Sequence, residues 1–281
     1  MKRLILVLVV FGAALGTTVL AADKSPPDTT GVPDLIVSAD LGMQWVTREE
    51  FLPSTYCSVE EGHVDPGYRR IVRFTVTTPN IGNADVNLGD PNDHIAANDG
   101  LYEFAACHHH YHFKHYALYQ LIDPDTGYVW KAAKRGFCML DTDPAPASLT
   151  SLPPGPAYYK SCGAVGVAGN QGISHGWSDT YRFFLGGQYF VLDGGDGQPV
   201  VPPGQYILRV TVNPPYAPAK KGAACPRVTD PLTGLCHQFA ESDYTNNVRE
   251  VLLNLPDHPG RQGNGPLNNT TALDYEPADH Q

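Results

Sequence analysis

Short segments rich in β-branched and aromatic residues recur along the middle of the chain, separated by turn-forming residues. The four clearest segments are Ile71–Thr77, Tyr116–Ile122, Tyr206–Val212 and Val248–Leu253. Within residues 71–77, apolar and polar side chains alternate, which is typical of a strand and not of a helix. No long stretch has the apolar period of a helix. The pattern therefore predicts a protein built from strands.

Turn chemistry supports the same fold class. The sequence contains 28 glycines and 25 prolines, which disfavour helices and favour turn-linked strands. The polar stretch 217–240 is expected to be an insertion at a loop tip between two strands. We expect an all-β, β-sandwich-like domain with long loops and few short helices, covering residues 34–255.

The two ends of the chain differ from this central part. Residues 1–22 combine a short basic start, an apolar run and a small-residue exit, which predicts a signal peptide. The alternative is a membrane anchor, but the apolar run is shorter than the ~20 residues needed to span a bilayer. Residues 23–33 form a polar leader, and residues 256–281 are expected to be a disordered tail. The mature protein is thus expected to be secreted or periplasmic, without a membrane partner.

Export changes how the six cysteines are interpreted. They are Cys57, Cys107, Cys138, Cys162, Cys225 and Cys236, and in an oxidising compartment they are expected to form disulfides. The sequence alone does not choose a connectivity, although Cys225 and Cys236 are the easiest local pair. One or two buried free thiols remain the alternative.

The charge of the chain limits its partners. Loss of Lys2 and Arg3 with the signal peptide changes the formal net charge from −10 to −12. This acidity argues against nucleic acid as a partner, since phosphate binding needs a basic surface. It suits cationic partners such as amines.

Five histidines lie within eight residues, and three of them alternate: His108, His110 and His112. On a strand, alternate side chains share one face, so these three imidazoles are expected to converge on one metal ion. Imidazole binds copper, zinc, nickel and iron, and three histidines would also suit catalytic zinc. The alternative is a surface histidine run that binds metals adventitiously. His115 has the opposite parity, so we expect it to support the site without binding the ion.

Four ordered motifs resemble the lysyl oxidase family over about residues 34–255. The segment Cys107-His108-x-His110-Tyr111-His112 is similar to the family's copper-binding segment. The second matching stretch is Lys134-Arg135-Gly136-Phe137-Cys138, followed by Leu140-Asp141. The third is Gln171-Gly172-Ile173-Ser174 with Trp177-Ser178-Asp179-Thr180-Tyr181. The fourth, which resembles the family's C-terminal strand pair, comprises residues 203–214 and 241–247. The segment between His112 and His115 is shorter than in the animal enzymes of this family. A cysteine that the family pattern predicts shortly after Cys138 is missing.

The resemblance implies a cofactor made from the protein's own side chains. Tyr181 would be oxidised with copper and dioxygen, and the amine of Lys134 would add to its ring to give lysine tyrosylquinone. Copper is expected because this chemistry needs a redox-active metal, which zinc is not. Asp179 is a candidate general base through its closeness to Tyr181, although a hydrogen-bonding role is an equal alternative. The family pattern also suggests a Cys107–Cys162 disulfide, which would leave Cys57 and Cys138 to pair.

The function implied is that of an exported copper-dependent amine oxidase. It would oxidise primary amines, either peptidyl lysine on a protein or small amines, to aldehydes, releasing hydrogen peroxide and ammonia. Dioxygen would be the second substrate. The alternatives are a non-catalytic exported copper-binding β-sandwich protein and a zinc hydrolase that uses the same imidazoles. Neither alternative needs both Lys134 and Tyr181 in matching motifs.

Overall fold

The computed structural model describes residues 30–150, 153–218, 220 and 223–261. The predicted signal peptide and most of the polar leader lie outside this part of the chain, as does the tail beyond residue 261. Leader residues 30–33 run beside a neighbouring loop, where the Val32 N–H donates to Asn83 Oδ1 at 2.9 Å.

The described residues form sixteen short strands and two helices, which confirms the all-β class. The helices are α1 (Cys57–Glu60) and α2 (Pro91–Ala97). The strands are β1 (Trp45–Leu52), β2 (Gly67–Phe74), β3 (Val76–Pro79), β4 (Val86–Gly89), β5 (Tyr102–Ala105), β6 (His110–Phe113), β7 (Ala117–Ile122), β8 (Val129–Lys131), β9 (Asp143–Pro144), β10 (Gln171–Ile173), β11 (Trp177–Tyr181), β12 (Tyr189–Val191), β13 (Gly204–Val212), β14 (Val228–Thr229), β15 (Cys236–His237) and β16 (Val248–Leu255).

Two of the sheets contribute many side chains to the main apolar core. One has the strand order β16-β13-β7-β8, and the other has the order β1-β2-β12. Phe74 of β2 packs edge-on against Tyr119 of β7, with ring centroids 5.3 Å apart, and both side chains belong to the main apolar cluster. Burial of aromatic and aliphatic surface between the sheets supplies the main driving force for this packing.

The sequence pattern located the strands of these sheets. Three predicted segments match β7, β13 and β16 within two residues at each end. The fourth segment, 71–77, is interrupted at Thr75, whose N–H donates to Gln44 O at 2.9 Å. At this point the chain leaves the β1-β2-β12 sheet, and β3 joins β11 and β9 instead. Alternation continues through the break, so periodicity alone did not reveal the change of sheet.

The ordered chain extends beyond the predicted domain end at residue 255. Gly260 pairs with Thr47 of β1 through two backbone hydrogen bonds of 2.8 and 3.0 Å. The start of the predicted disordered tail, residues 256–261, was therefore assigned wrongly, because pairing with β1 was invisible in its polar composition. Within the described residues, no helix is long and apolar enough to cross a bilayer.

Candidate metal and cofactor site

The β5–β6 hairpin positions the three alternating histidines. Their candidate ligand atoms all lie within 4.8 Å of one another, close enough for one ion to be bound by all three. The expected continuous strand is not what brings them together, because β6 begins at His110 and His108 lies in the preceding turn. His109 takes a left-handed φ of 58° in that turn, and its N–H donates to Ala105 O at 2.9 Å.

Burial favours the metal-binding protonation state of His112. His108 and His112 are buried, and their ring centroids are 5.0 Å apart. Burial, followed by the positive charge of Lys134 and the neighbouring histidines, lowers the pKa of His112 to about 2. His112 is therefore neutral near pH 7, which is the form that donates a nitrogen lone pair to a metal. The donor set fits copper, which imidazole binds strongly.

The segment that follows Lys134 packs directly onto the histidine cluster. The Phe113 N–H donates to Phe137 O at 2.6 Å, which ties this segment to β6. Gly136 lies so close to His112 that a Cβ atom there would overlap the imidazole ring. Only glycine permits this approach, so Gly136 links the position of the Lys134 segment to the orientation of a candidate ligand.

The structure also brings Lys134 and Tyr181 together. The Lys134 ammonium lies 4.8 Å from the centroid of the Tyr181 ring, over its face. The Tyr181 hydroxyl accepts a hydrogen bond from the Cys138 N–H at 2.7 Å and donates one to Cys138 O at 2.8 Å. These two bonds fix the ring on β11, while burial raises the pKa of Tyr181 well above its usual value. Lys134 also lines the cleft that contains His108 and His112, so lysine, tyrosine and histidines form one site.

Asp179 lies on the same face of β11 as Tyr181, but deeper in the core. Its side chain is fully buried, and the Leu140 backbone and the Tyr116 side chain are the hydrogen-bonding groups beside it. Burial raises the pKa of Asp179 well above its usual value, although the charge of Lys134 acts in the opposite direction. Asp179 does not line the cleft. Both roles considered from the sequence for Asp179, general base and hydrogen-bonding group, stay predictions.

The disulfides differ from the pairing that the resemblance suggested. Cys107 pairs with Cys57, and Cys162 pairs with Cys138, so the Cys107–Cys162 and Cys57–Cys138 pairs were wrong. Cys225 pairs with Cys236, as the local spacing predicted. The first bridge joins α1 to the turn that holds His108. The second bridge joins Cys138, whose backbone binds the Tyr181 hydroxyl, to Cys162 in the loop before β10. Both long-range bridges thus brace the site, which sequence spacing did not reveal.

His115 is not brought to the other three histidines. It takes a left-handed φ of 63° in the turn after β6. There it lines a separate cavity with Asp99 and Arg227. The expected supporting role at the metal site does not agree with this placement, because the turn reverses the chain before His115.

Sequence reasoning missed part of the cleft wall. Glu61 and His63 follow α1 and line the same cleft as Lys134 and Arg135. Glu61 Oε1 is 3.8 Å from His108 Nε2, and Glu61 Oε2 is 3.8 Å from His63 Nδ1. Burial and the charge of Arg135 lower the pKa of His63. The Cys57–Cys107 bridge would have pointed to these residues, had the pairing been known.

Comparison with known proteins agrees with this geometry. The family profile described as lysyl oxidase matches residues 39–222. Lysyl oxidase homolog 4 of Homo sapiens is 29% identical over 241 residues, covering 80% of this chain and 25% of that protein. Lysyl oxidase homolog 3B of Danio rerio is 30% identical over 239 residues, covering 80% and 24%. The chain thus spans about a quarter of the length of these relatives. Because the profile covers more than half of the chain, this protein belongs to the lysyl oxidase family.

Proposed function

We propose that this protein is an exported, copper-dependent amine oxidase that converts primary amines to aldehydes and releases hydrogen peroxide and ammonia. The observation that carries the proposal is the Lys134 ammonium 4.8 Å above the ring of Tyr181, beside three convergent imidazoles. Lysine and tyrosine are the two side chains from which lysine tyrosylquinone is made. A metal-binding or hydrolytic protein would gain nothing from this pairing. The three disulfides support an oxidising compartment, which agrees with the predicted signal peptide.

In this proposal, His108, His110 and His112 bind copper as neutral donors. Bound copper supplies one-electron redox chemistry with dioxygen for the oxidation of the Tyr181 phenol. The Cys138 backbone holds the ring still, and Lys134 approaches from the ring face with the nitrogen that forms the cross-link. Lysine must lose its proton before it acts as a nucleophile.

We also propose Asp179 as the group that exchanges protons beside the cofactor. It is buried on the Tyr181 side of β11, and its raised pKa keeps it protonated where an ordinary aspartate would be ionised. A carboxyl with a raised pKa is suited to general acid–base catalysis near neutral pH. Since it does not line the cleft, it would reach a bound amine only after Lys134 has moved.

The proposal is tested by incubating copper-loaded, aerated protein with a primary amine and measuring aldehyde, hydrogen peroxide and ammonia. Equal amounts of all three, lost in Lys134→Met and retained in Lys131→Met, are expected. Lys131 is an exposed lysine on β8 and serves as the matched control. Copper-loaded protein that binds the metal but yields none of the three products would contradict the oxidase and favour a copper-binding protein. Hydrolytic activity of the zinc-loaded form alone would favour the hydrolase.

A further inference from the structure

The cleft beside Lys134 contains one acidic side chain. Of the residues that line it in the described part of the chain, Glu61 is the only carboxylate. The other ionisable side chains of the wall are basic, and they are His63, His108, His112, Lys134 and Arg135. The hydroxyl of Ser58 is engaged with the hydroxyl of Tyr189 at 2.7 Å. Glu61 is therefore the side chain of this lining whose negative charge attracts a cation that enters.

Local structure fixes where Glu61 stands. It forms the C-terminal cap of α1, and its N–H donates to Cys57 O at 2.9 Å. The bridge from Cys57 to Cys107 ties this cap to the turn that holds His108. The carboxylate lies between two imidazoles, 3.8 Å from each, and its side chain is 28% exposed. It therefore reaches both the metal cluster and solvent.

Glu61 stands apart from the metal donors. The group whose ligand atoms all lie within 4.8 Å of one another contains the three histidines and not Glu61. A carboxylate accepts several hydrogen bonds, so Glu61 can bind a cation in the cleft while it keeps its contacts with the two histidines. The cleft encloses about 10 Å³, room for about one water molecule, which is also the size of an ammonium group.

We propose that Glu61 is a substrate-specificity residue, whose carboxylate binds the ammonium group of the incoming amine and guides it past Arg135 toward the cofactor. This inference rests on the proposed amine oxidase function. Primary aliphatic amines are cationic at neutral pH, and Arg135, which also lines the cleft, repels them. The Glu61 carboxylate offsets this repulsion and forms a charge-assisted hydrogen bond with the ammonium. The small cleft therefore favours substrates whose ammonium group lies at the end of an unbranched chain.

Steady-state kinetics of Glu61→Gln with two kinds of amine test the inference. For a cationic alkylamine, KM is expected to rise about five- to tenfold, as for loss of one partly solvated charge-assisted hydrogen bond. For 2,2,2-trifluoroethylamine, which is mostly uncharged at neutral pH, KM is expected to stay within about twofold. The matched control is Glu60→Gln, which removes the same charge from the adjacent exposed residue and does not line the cleft.

Two further measurements separate this inference from the proposed function. Phenylhydrazine is uncharged at neutral pH, so its rate of adduct formation should be equal in wild type and Glu61→Gln. Absence of any adduct in copper-loaded wild type would refute the amine oxidase itself. An adduct in both proteins with equal KM values for the cationic amine would refute the role of Glu61 alone. Loss of bound copper in Glu61→Gln, restored in Glu61→Asp, would overturn the inference by making Glu61 part of the metal site.

Discussion

Two fully buried regions of this protein contain carboxylates whose charge is compensated differently. The first lies between β1, β2 and the loop after β11, where Glu50 accepts hydrogen bonds from Arg48 and Arg73 at 2.8–3.1 Å. Arg73 also donates to the carbonyls of Phe183 and Leu185. Charge and hydrogen bonding are thus matched within one network, which is the usual condition for burying ions.

The second region contains Asp179 beneath Tyr181. Its carboxylate is as buried as Glu50 but has no arginine bonded to it, and burial raises its pKa despite the nearby Lys134, Leu140 and Tyr116. A buried carboxyl with a strongly raised pKa is more common at functional sites than elsewhere. Burial alone therefore does not distinguish the two carboxylates, whereas direct pairing with arginine does.

Breaking the satisfied network should have the largest effect on stability. Glu50→Gln leaves two buried arginines without their anion, and the free energy of unfolding should fall by about 3–5 kcal/mol. Chemical denaturation of the metal-free protein measures this fall. Glu49→Gln, at an exposed position of the same strand, should change it by less than about 0.5 kcal/mol. Equal effects of the two changes would show that the network is not structural.

Gly136→Ala should have the next largest effect, and it should fall on the metal site. The added methyl overlaps the His112 ring, and overpacking of this kind costs about 1–3 kcal/mol. Because His112 must move, copper affinity is expected to fall at least about tenfold. Equilibrium dialysis with copper provides the measurement. Gly155→Ala is the control, since a Cβ there meets nothing within 4 Å; equal copper affinities would contradict the account.

Asp179→Asn should change how the stability of the protein depends on pH. A carboxyl whose pKa is raised by folding loses stability as pH rises above its unfolded value of 3.8. Asparagine carries no such penalty, so the variant should gain stability relative to wild type between about pH 4 and pH 8. Melting temperatures across this range measure the gain, with Asp125→Asn at an exposed turn as the control. A difference that does not change with pH would mean that Asp179 is not buried as described.

Lys134→Met should have the smallest effect on stability. Its contact with the Tyr181 ring is a partly exposed cation–π interaction, worth about 0.5–1 kcal/mol. The same change should abolish the reaction of the copper-loaded protein with phenylhydrazine. Melting temperatures and adduct absorbance are measured for this variant and for the control Lys131→Met. Loss of the adduct with little change in melting temperature, in Lys134→Met alone, is expected. An adduct that persists in Lys134→Met would exclude this lysine from the cofactor.

The sequence predicted the features that depend on local pattern. Alternation located β7, β13 and β16, and the ordered motifs selected Lys134 and Tyr181, which the fold brings together. Features that depend on long-range packing were missed. Disulfide partners 50 and 24 residues apart carry no local signal, and the turn at His109 was hidden within an apparent strand. Glu61 lies at the site on α1, which the Cys57–Cys107 bridge joins to the turn that holds His108.

The central claim is that Lys134 and Tyr181 join to form the cofactor. Peptide mapping of copper-loaded, aerated protein by mass spectrometry tests it most directly, with metal-free protein as the reference. The peptides that carry Lys134 and Tyr181 are expected to be covalently linked after copper loading and not before it. The linked species is expected to react with phenylhydrazine. Two separate, unmodified peptides in fully copper-loaded protein would contradict it.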